Sequence, residues 1–148
     1  MKKITIIMMA VLLSTATITA CAGNNTPETK KETVAKKESP VEIIYFHGKQ
    51  RCMTCMAIEK NAREVVEKDF ANEKKSGKVV FKVVDISTDE GAKIAKDYRV
   101  TWSSLFVNGW KNGKEKRNDM TQFAFKNARK NANEFKKGVS GKIKELMK

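Results

Sequence analysis

Cys52 and Cys55 stand three positions apart in the stretch YFHGKQRCMTCMAIEK (residues 45–60), which also holds the chain's only histidine, His47. Two thiols at this spacing support three kinds of chemistry: exchange with another disulfide, capture of a soft metal, or a small structural brace. A brace stabilises by closing a long loop in the unfolded chain. A Cys52–Cys55 bridge closes almost none, so bracing explains the pair least well. Exchange needs one thiol that ionises readily and a second that resolves the mixed disulfide. A helix opening at Cys52 provides both. Its unpaired backbone N–H groups and partial positive charge favour a thiolate there, and Cys55 falls one turn later at the head of an apolar stripe. Lys49 and Arg51 add positive charge, and no acidic residue lies between Glu42 and Glu59. The pattern predicts Cys52 as the nucleophile, with a pKa below that of a free thiol, and Cys55 as the more buried resolving thiol.

Whether such a pair persists depends on compartment. Met1-Lys2-Lys3 is a basic start, Ile4 to Leu13 is an apolar run too short to span a bilayer, and Ile18-Thr19-Ala20 leads into Cys21. That order resembles the lipobox of bacterial lipoproteins. It implies a signal peptide over residues 1–20 and a lipid on Cys21. The expected location is the bacterial cell envelope, on the periplasmic face of a membrane or on the outer face of the plasma membrane in a single-membrane cell. A plain secretory signal is the alternative and also exports the chain. With Cys21 lipidated, two of the three cysteines remain, and they are the pair above. Residues 21–40 hold both prolines, and Val34 is the single large apolar residue after Cys21, so this segment reads as a flexible tether. Residues 41–148 then suffice for one core but not two.

The formal net charge is +13, and residues 111–148 carry twelve Lys or Arg against four Asp or Glu. An exported lipoprotein rarely meets nucleic acid, so none is expected as a partner. A lysine-rich solvated helix surface accounts for the charge, and attraction to anionic lipid headgroups is a second reading.

The elements that must position the cysteines follow from pattern. Val41 to Phe46 is β-branched and aromatic, hence a strand, and His47 to Arg51 is a loop. From Cys52 a helix carries Cys55, Ile58, Ala62, Val65, Val66 and Phe70 on one face and ends by Ser76-Gly77. Val79 to Ile86 is nearly all apolar, as expected of a strand covered on both faces. Ser87 to Asp89 caps a second helix through Tyr98. Leu105-Phe106-Val107 is a third strand, Asn108-Gly109 and Asn112-Gly113 are turn signals, and a fourth, edge strand is expected around Lys114 to Arg117. Two helical pieces follow, one beginning at Thr121 and one capped by Asn131. The order predicts an α/β domain: a parallel βαβ unit, an antiparallel hairpin and a closing helix.

A C-x-x-C that follows a strand and opens a helix in such a domain resembles the thioredoxin-like superfamily, over about residues 41–148. The resemblance implies a single thioredoxin-like domain with a central four-stranded mixed sheet flanked by helices. It also implies a redox-active Cys52–Cys55 disulfide and no other cofactor. YRVTWSSLFV (residues 98–107) is similar to the thioredoxin segment that crosses the active site. The loop Thr101, Trp102, Ser103 and Ser104 would then face the disulfide and pair its backbone with a substrate chain, with Ser104 in the place of that family's cis-proline. The chain departs from the pattern in having no proline after Pro40, Met53-Thr54 between the cysteines, and Phe46 and His47 where thioredoxins bury an acid. These departures imply a dedicated partner rather than general disulfide reduction.

A closer resemblance is to the ArsF family of thioredoxin-like lipoproteins, described as a nitrophenyl compound nitroreductase subunit. It is carried by the lipobox, YFHGKQRCMTCMAIEK and YRVTWSSLFVNGW. It implies an accessory role beside a membrane permease and a second thioredoxin-like protein, in reduction and export of aromatic arsenicals. No flavin, haem or nucleotide fingerprint is present, so the chain alone has no evident means to reduce a nitro group. The expected function is thiol-disulfide exchange, with electrons supplied by a membrane-embedded donor. The competing reading is a lipoprotein that binds a soft metal or arsenic(III) on the same dithiol, aided by Met53 or Met56. His47 alone reads as a loop residue rather than a metal ligand, and Trp102 as either core packing or a cover for the disulfide.

Overall fold

Val41–His47 forms β1 at the centre of the sheet in the computed structural model, which describes residues 40–148. The signal segment, Cys21 and all but the last residue of the tether lie outside the described residues. Ile43 and Tyr45 point to one face of β1, and Ile44 and Phe46 to the other. Both faces are covered, which is why this strand is apolar almost throughout. The first face packs on α1 (Met53–Asp69), α4 (Thr121–Asn127) and α5 (Ala132–Leu146), through Ile58, Val65, Phe135, Val139 and Ile143 among others. The second packs on α3 (Asp89–Tyr98), through Val84, Ala95, Val100 and Phe106.

The sheet order is β2-β1-β3-β4, with β2 spanning Val79–Asp85, β3 Ser104–Lys111 and β4 Lys114–Lys116. β1 runs parallel to β2 and antiparallel to β3, and β4 returns antiparallel along β3. A βαβ unit is thus joined to a β-hairpin and a closing helix in one four-stranded mixed sheet flanked by helices. This is the single α/β domain with a central mixed sheet that the sequence predicts.

Three expectations need correction. β2 is an edge strand, not one covered on both faces: Lys82 and Val83 are exposed, and Lys82 reaches across to Glu42 at 2.6 Å. A charged side chain on an edge discourages pairing with another chain. Asn108-Gly109 makes no turn. β3 runs straight through it, and the buried Asn108 side chain donates to the Tyr98 hydroxyl (2.8 Å) and to Glu115 (2.9 Å). The turn lies at Asn112-Gly113, both at positive φ (53° and 73°), as a two-residue hairpin loop demands. Finally, the first helix is two. Phe70 leaves helical geometry at φ −129°, its ring is buried, and α2 (Ala71–Lys75) starts anew.

The turn from β2 into α3 is close-packed. Thr88 caps α3 by accepting from the Gly91 N–H, and a Cβ at Gly91 would sit 1.9 Å from the Asp85 carbonyl oxygen. Only glycine fits there without a backbone shift. Asn131 stands at the N-cap of α5 but makes no side-chain cap bond.

Candidate active site

β1 ends at His47, and five residues later Cys52 occupies the N-cap of α1 in extended geometry (φ −75°, ψ 163°). The Cys55 backbone N–H donates to Cys52 Sγ at 3.0 Å. A sulfur at this position takes the role Ser or Asp usually plays in capping a helix, and the donor favours negative charge on it. No acidic residue occupies the first turn of α1. Cys52 and Cys55 form a disulfide with Cα atoms 5.0 Å apart. Cys52 is exposed, whereas Cys55 is 6% exposed and faces the core. One sulfur is open to attack and the other is shielded.

Beneath the pair lies Tyr45, fully buried on β1. Its hydroxyl donates to the Cys55 carbonyl at 2.8 Å, and the Arg51 guanidinium lies over its ring, 5.7 Å from the centroid. Burial pushes the phenol pKa up, against the opposing pull of Arg51 and Ser103. Because β3 is antiparallel to β1, with Ser104 paired to Phe46, the segment entering β3 arrives at the end of the sheet where Cys52 sits. The loop 101–104 divides. Ser103 and Ser104 are buried, with the Ser104 hydroxyl donating to the Trp102 carbonyl at 3.2 Å, while Thr101 and Trp102 are exposed. Trp102 is 63% exposed even though its ring stacks on Phe125 of α4, centroids 5.7 Å apart. Met53 and Met56 are also exposed.

Arg51 has a partner in Glu59 of α1, which also accepts from Arg63 at 2.8 Å. Burial works to raise the Glu59 pKa, but the hydrogen bonds from Arg63 and Arg51 outweigh it and hold the carboxyl below its usual range. Some of the Arg51 field is therefore neutralised by the first acidic residue beyond the C-x-x-C. Lys49 is exposed and takes part in no ion pair among the described residues. His47 is half-buried at the end of β1, with Nδ1 3.0 Å from the Gly48 carbonyl.

No protein-family model and no curated protein matches the chain. Among solved structures it is similar to a thioredoxin from Thermus thermophilus, at TM-score 0.44 and 18% identity over 69% of this chain and 72% of that one. It is also similar to a malarial protein, at TM-score 0.37 and 17% identity over 58% of this chain and 92% of that one. Among the described residues, no three His, Cys, Asp or Glu gather as a metal site, and no helix is long and apolar enough to cross a membrane.

Sequence reasoning missed Tyr45, Glu59 and Phe125. Tyr45 carried a readable signal: a tyrosine in a buried strand must find a partner for its hydroxyl, and the nearby helix turn offers one. Glu59 is visible only once Cys52 is accepted as the cap, which sets it two turns along the helix from Arg51. Phe125 gave no signal, since its contact depends on how α4 packs.

Proposed function

We propose that this chain is a thiol-disulfide oxidoreductase in which Cys52 exchanges disulfides and Cys55 resolves them. The carrying observation is the Cys52–Cys55 disulfide at the N-terminus of α1, one sulfur exposed and capping the helix, the other buried. In the reduced protein the Cys52 thiolate attacks one sulfur of a partner disulfide and displaces the other as a thiolate. Cys55 then gives up its proton and attacks Cys52 Sγ, which releases the second partner thiol and closes the Cys52–Cys55 bond. Two electrons pass to the partner, and a donor dithiol returns the pair to its reduced form by the same steps reversed.

The site of action is proposed as the outer side of a bacterial membrane, supported by the lipobox-like run into Cys21. Confinement by lipid and tether raises the domain's effective concentration against membrane-embedded donors, so the chain acts as a reductant supplied from the membrane. The resemblance to ArsF-family lipoproteins supports the finer reading of an accessory subunit beside a permease and a second thioredoxin-like protein, acting on nitroaromatic or arsenical compounds.

A Cys55→Ser variant tests the exchange step. In intact cells it should accumulate a mixed disulfide through Cys52, released by reductant, while the parent protein titrates as a reversible two-electron pair indifferent to chelators. A dithiol that exchanges with no disulfide and yields a stoichiometric ion to a chelator would replace this reading with metal binding. Mass spectrometry of membrane-extracted protein tests the anchor separately, since an unmodified Cys21 ends it.

A further inference from the structure

The end of the sheet opposite the disulfide has a different character. Val41 begins β1 there and Lys111 ends β3 there, because the two strands are antiparallel. β1 separates this end from His47 by about 20 Å. The end of α5 closes over it: a Cβ on Gly109 would lie 3.0 Å from the Leu146 side chain. A recess of about 400 Å³ opens between Val41, Trp110, Asn112, Leu146, Met147 and Lys148. Trp110 is 41% exposed and Met147 40% exposed. Lys111, Lys114 and Lys116 stand around the hairpin beside them, all exposed. Among the described residues, Lys111, Lys114 and Lys148 take part in no ion pair, and Glu145 at the rim is already paired to Lys142 at 2.6 Å.

We propose that this end is a docking face for an anionic bilayer surface, which seats Trp110 at the headgroup level and turns the Cys52 end outward. An exposed tryptophan flanked by lysines in excess over the nearby Glu145 carboxylate is the pairing that interfaces recruit, the ring for the apolar boundary and the ammonium groups for lipid phosphate. The chain supplies a second reason. Residues 21–40 join the sheet at Val41, so a lipid on Cys21 would draw this end toward the membrane rather than the disulfide. The proposal rests on the export and anchoring part of the functional reading. It adds orientation: the anchored domain is held with its reactive sulfur away from the lipid and open to protein partners.

The chain's two tryptophans mark its two ends, so each can report alone. Full-length protein carrying Trp102→Phe leaves Trp110, and Trp110→Phe leaves Trp102. Both are reconstituted into phosphatidylcholine vesicles with and without phosphatidylglycerol, with brominated lipid as the quencher. Trp110 is expected to shift to the blue and to be quenched several-fold more than Trp102, only on the anionic vesicles, and to recover in high salt. Replacing Lys111, Lys114 and Lys148 with Gln should weaken that response by about fivefold per lysine removed. Equal quenching of both tryptophans, indifference to lipid charge, or protection of Trp110 that grows with protein concentration in lipid-free solution would each overturn the proposal, the last in favour of a second copy of the chain. Sedimentation with the neutral vesicles reads the anchor by itself. Its failure removes the lipid on Cys21 and leaves the anionic contrast to decide the face.

Discussion

The Tyr45 hydroxyl donates to the Cys55 carbonyl at 2.8 Å, which ties the strand that ends at the site to the helical turn that holds both sulfurs. Ser103, from the loop before β3, pulls against the burial that raises the phenol's pKa. Tyr45→Phe keeps the buried ring and removes only the tie to Cys55. Stability should fall by about 1 kcal/mol, the usual net value of one buried hydrogen bond, read as a lower urea midpoint. An unchanged midpoint would show that the hydroxyl holds nothing together.

The Arg51–Glu59 pair sets up a two-way test of charge at Cys52. Glu59→Gln frees Arg51 from its counter-charge, and alkylation of reduced Cys52 near neutral pH should speed up about two- to threefold. Arg51→Gln should slow it by a similar factor. The size is small because both side chains are partly exposed and screened. Equal rates in both variants would leave the helix terminus alone responsible for activating the thiol.

Stability should plateau between acid and alkaline limbs whose signs follow from the shifted groups. Glu59 is held below its ordinary 4.5, where burial is outweighed by Arg63 and Arg51. Glu115 is likewise held below it, where burial is outweighed by Tyr98 and Arg117. In acid the unfolded chain therefore binds more protons than the folded one. The stabilisation is complete above about pH 4.5 and is lost as pH falls through the folded values. Tyr45 is shifted the other way, raised above its ordinary 10.0 chiefly by burial. Folded Tyr45 keeps its proton where the unfolded chain has lost it, so this contribution is present below pH 10 and lost as pH rises through the folded value. Tyr98 is raised in the same direction, by its burial and by Glu115. Urea midpoints measured across pH should therefore show both limbs, with Tyr45→Phe reducing the alkaline one in part and leaving the acid one.

Much of this architecture was legible because its signals are local. Val41 to Phe46 could be read as a strand from side-chain type alone, and the stripe from Cys55 to Phe70 from spacing alone. The errors arose where tertiary placement decided. Val79 to Asp85 is as apolar as a central strand, yet it lies at the edge because the chain crosses over α1 to reach it, and no pattern within those seven residues records that. Asn108-Gly109 has the composition of a turn, but the Asn108 amide is satisfied inside the fold by Tyr98 and Glu115. At the site, the two sulfurs were legible from the C-x-x-C, whereas Glu59 and Phe125 depended on side chains meeting across elements.

Trp102 is the place where recognition and stability should separate. Its ring stacks on Phe125, yet most of it faces solvent, on the loop that enters β3 at the end of the sheet where β1 leads to Cys52. An exposed aromatic pair contributes only about 0.5–1.5 kcal/mol, so a ring left this open gains more from covering a partner than from packing its own domain. Trp102→Ala should therefore cost at most about 1 kcal/mol of stability. Reduction of the Cys52–Cys55 bond by dithiothreitol should keep its rate, since a small dithiol needs only the exposed sulfur. If an extended peptide disulfide lies along the loop, its exchange should slow by about tenfold, the loss of a single stacking contact of roughly 1.4 kcal/mol. Parallel kinetics with the two substrates provide the measurement. If both rates fall together, Trp102 acts by holding the site in shape; if neither falls, the partner approaches Cys52 from the Met53 and Met56 side instead.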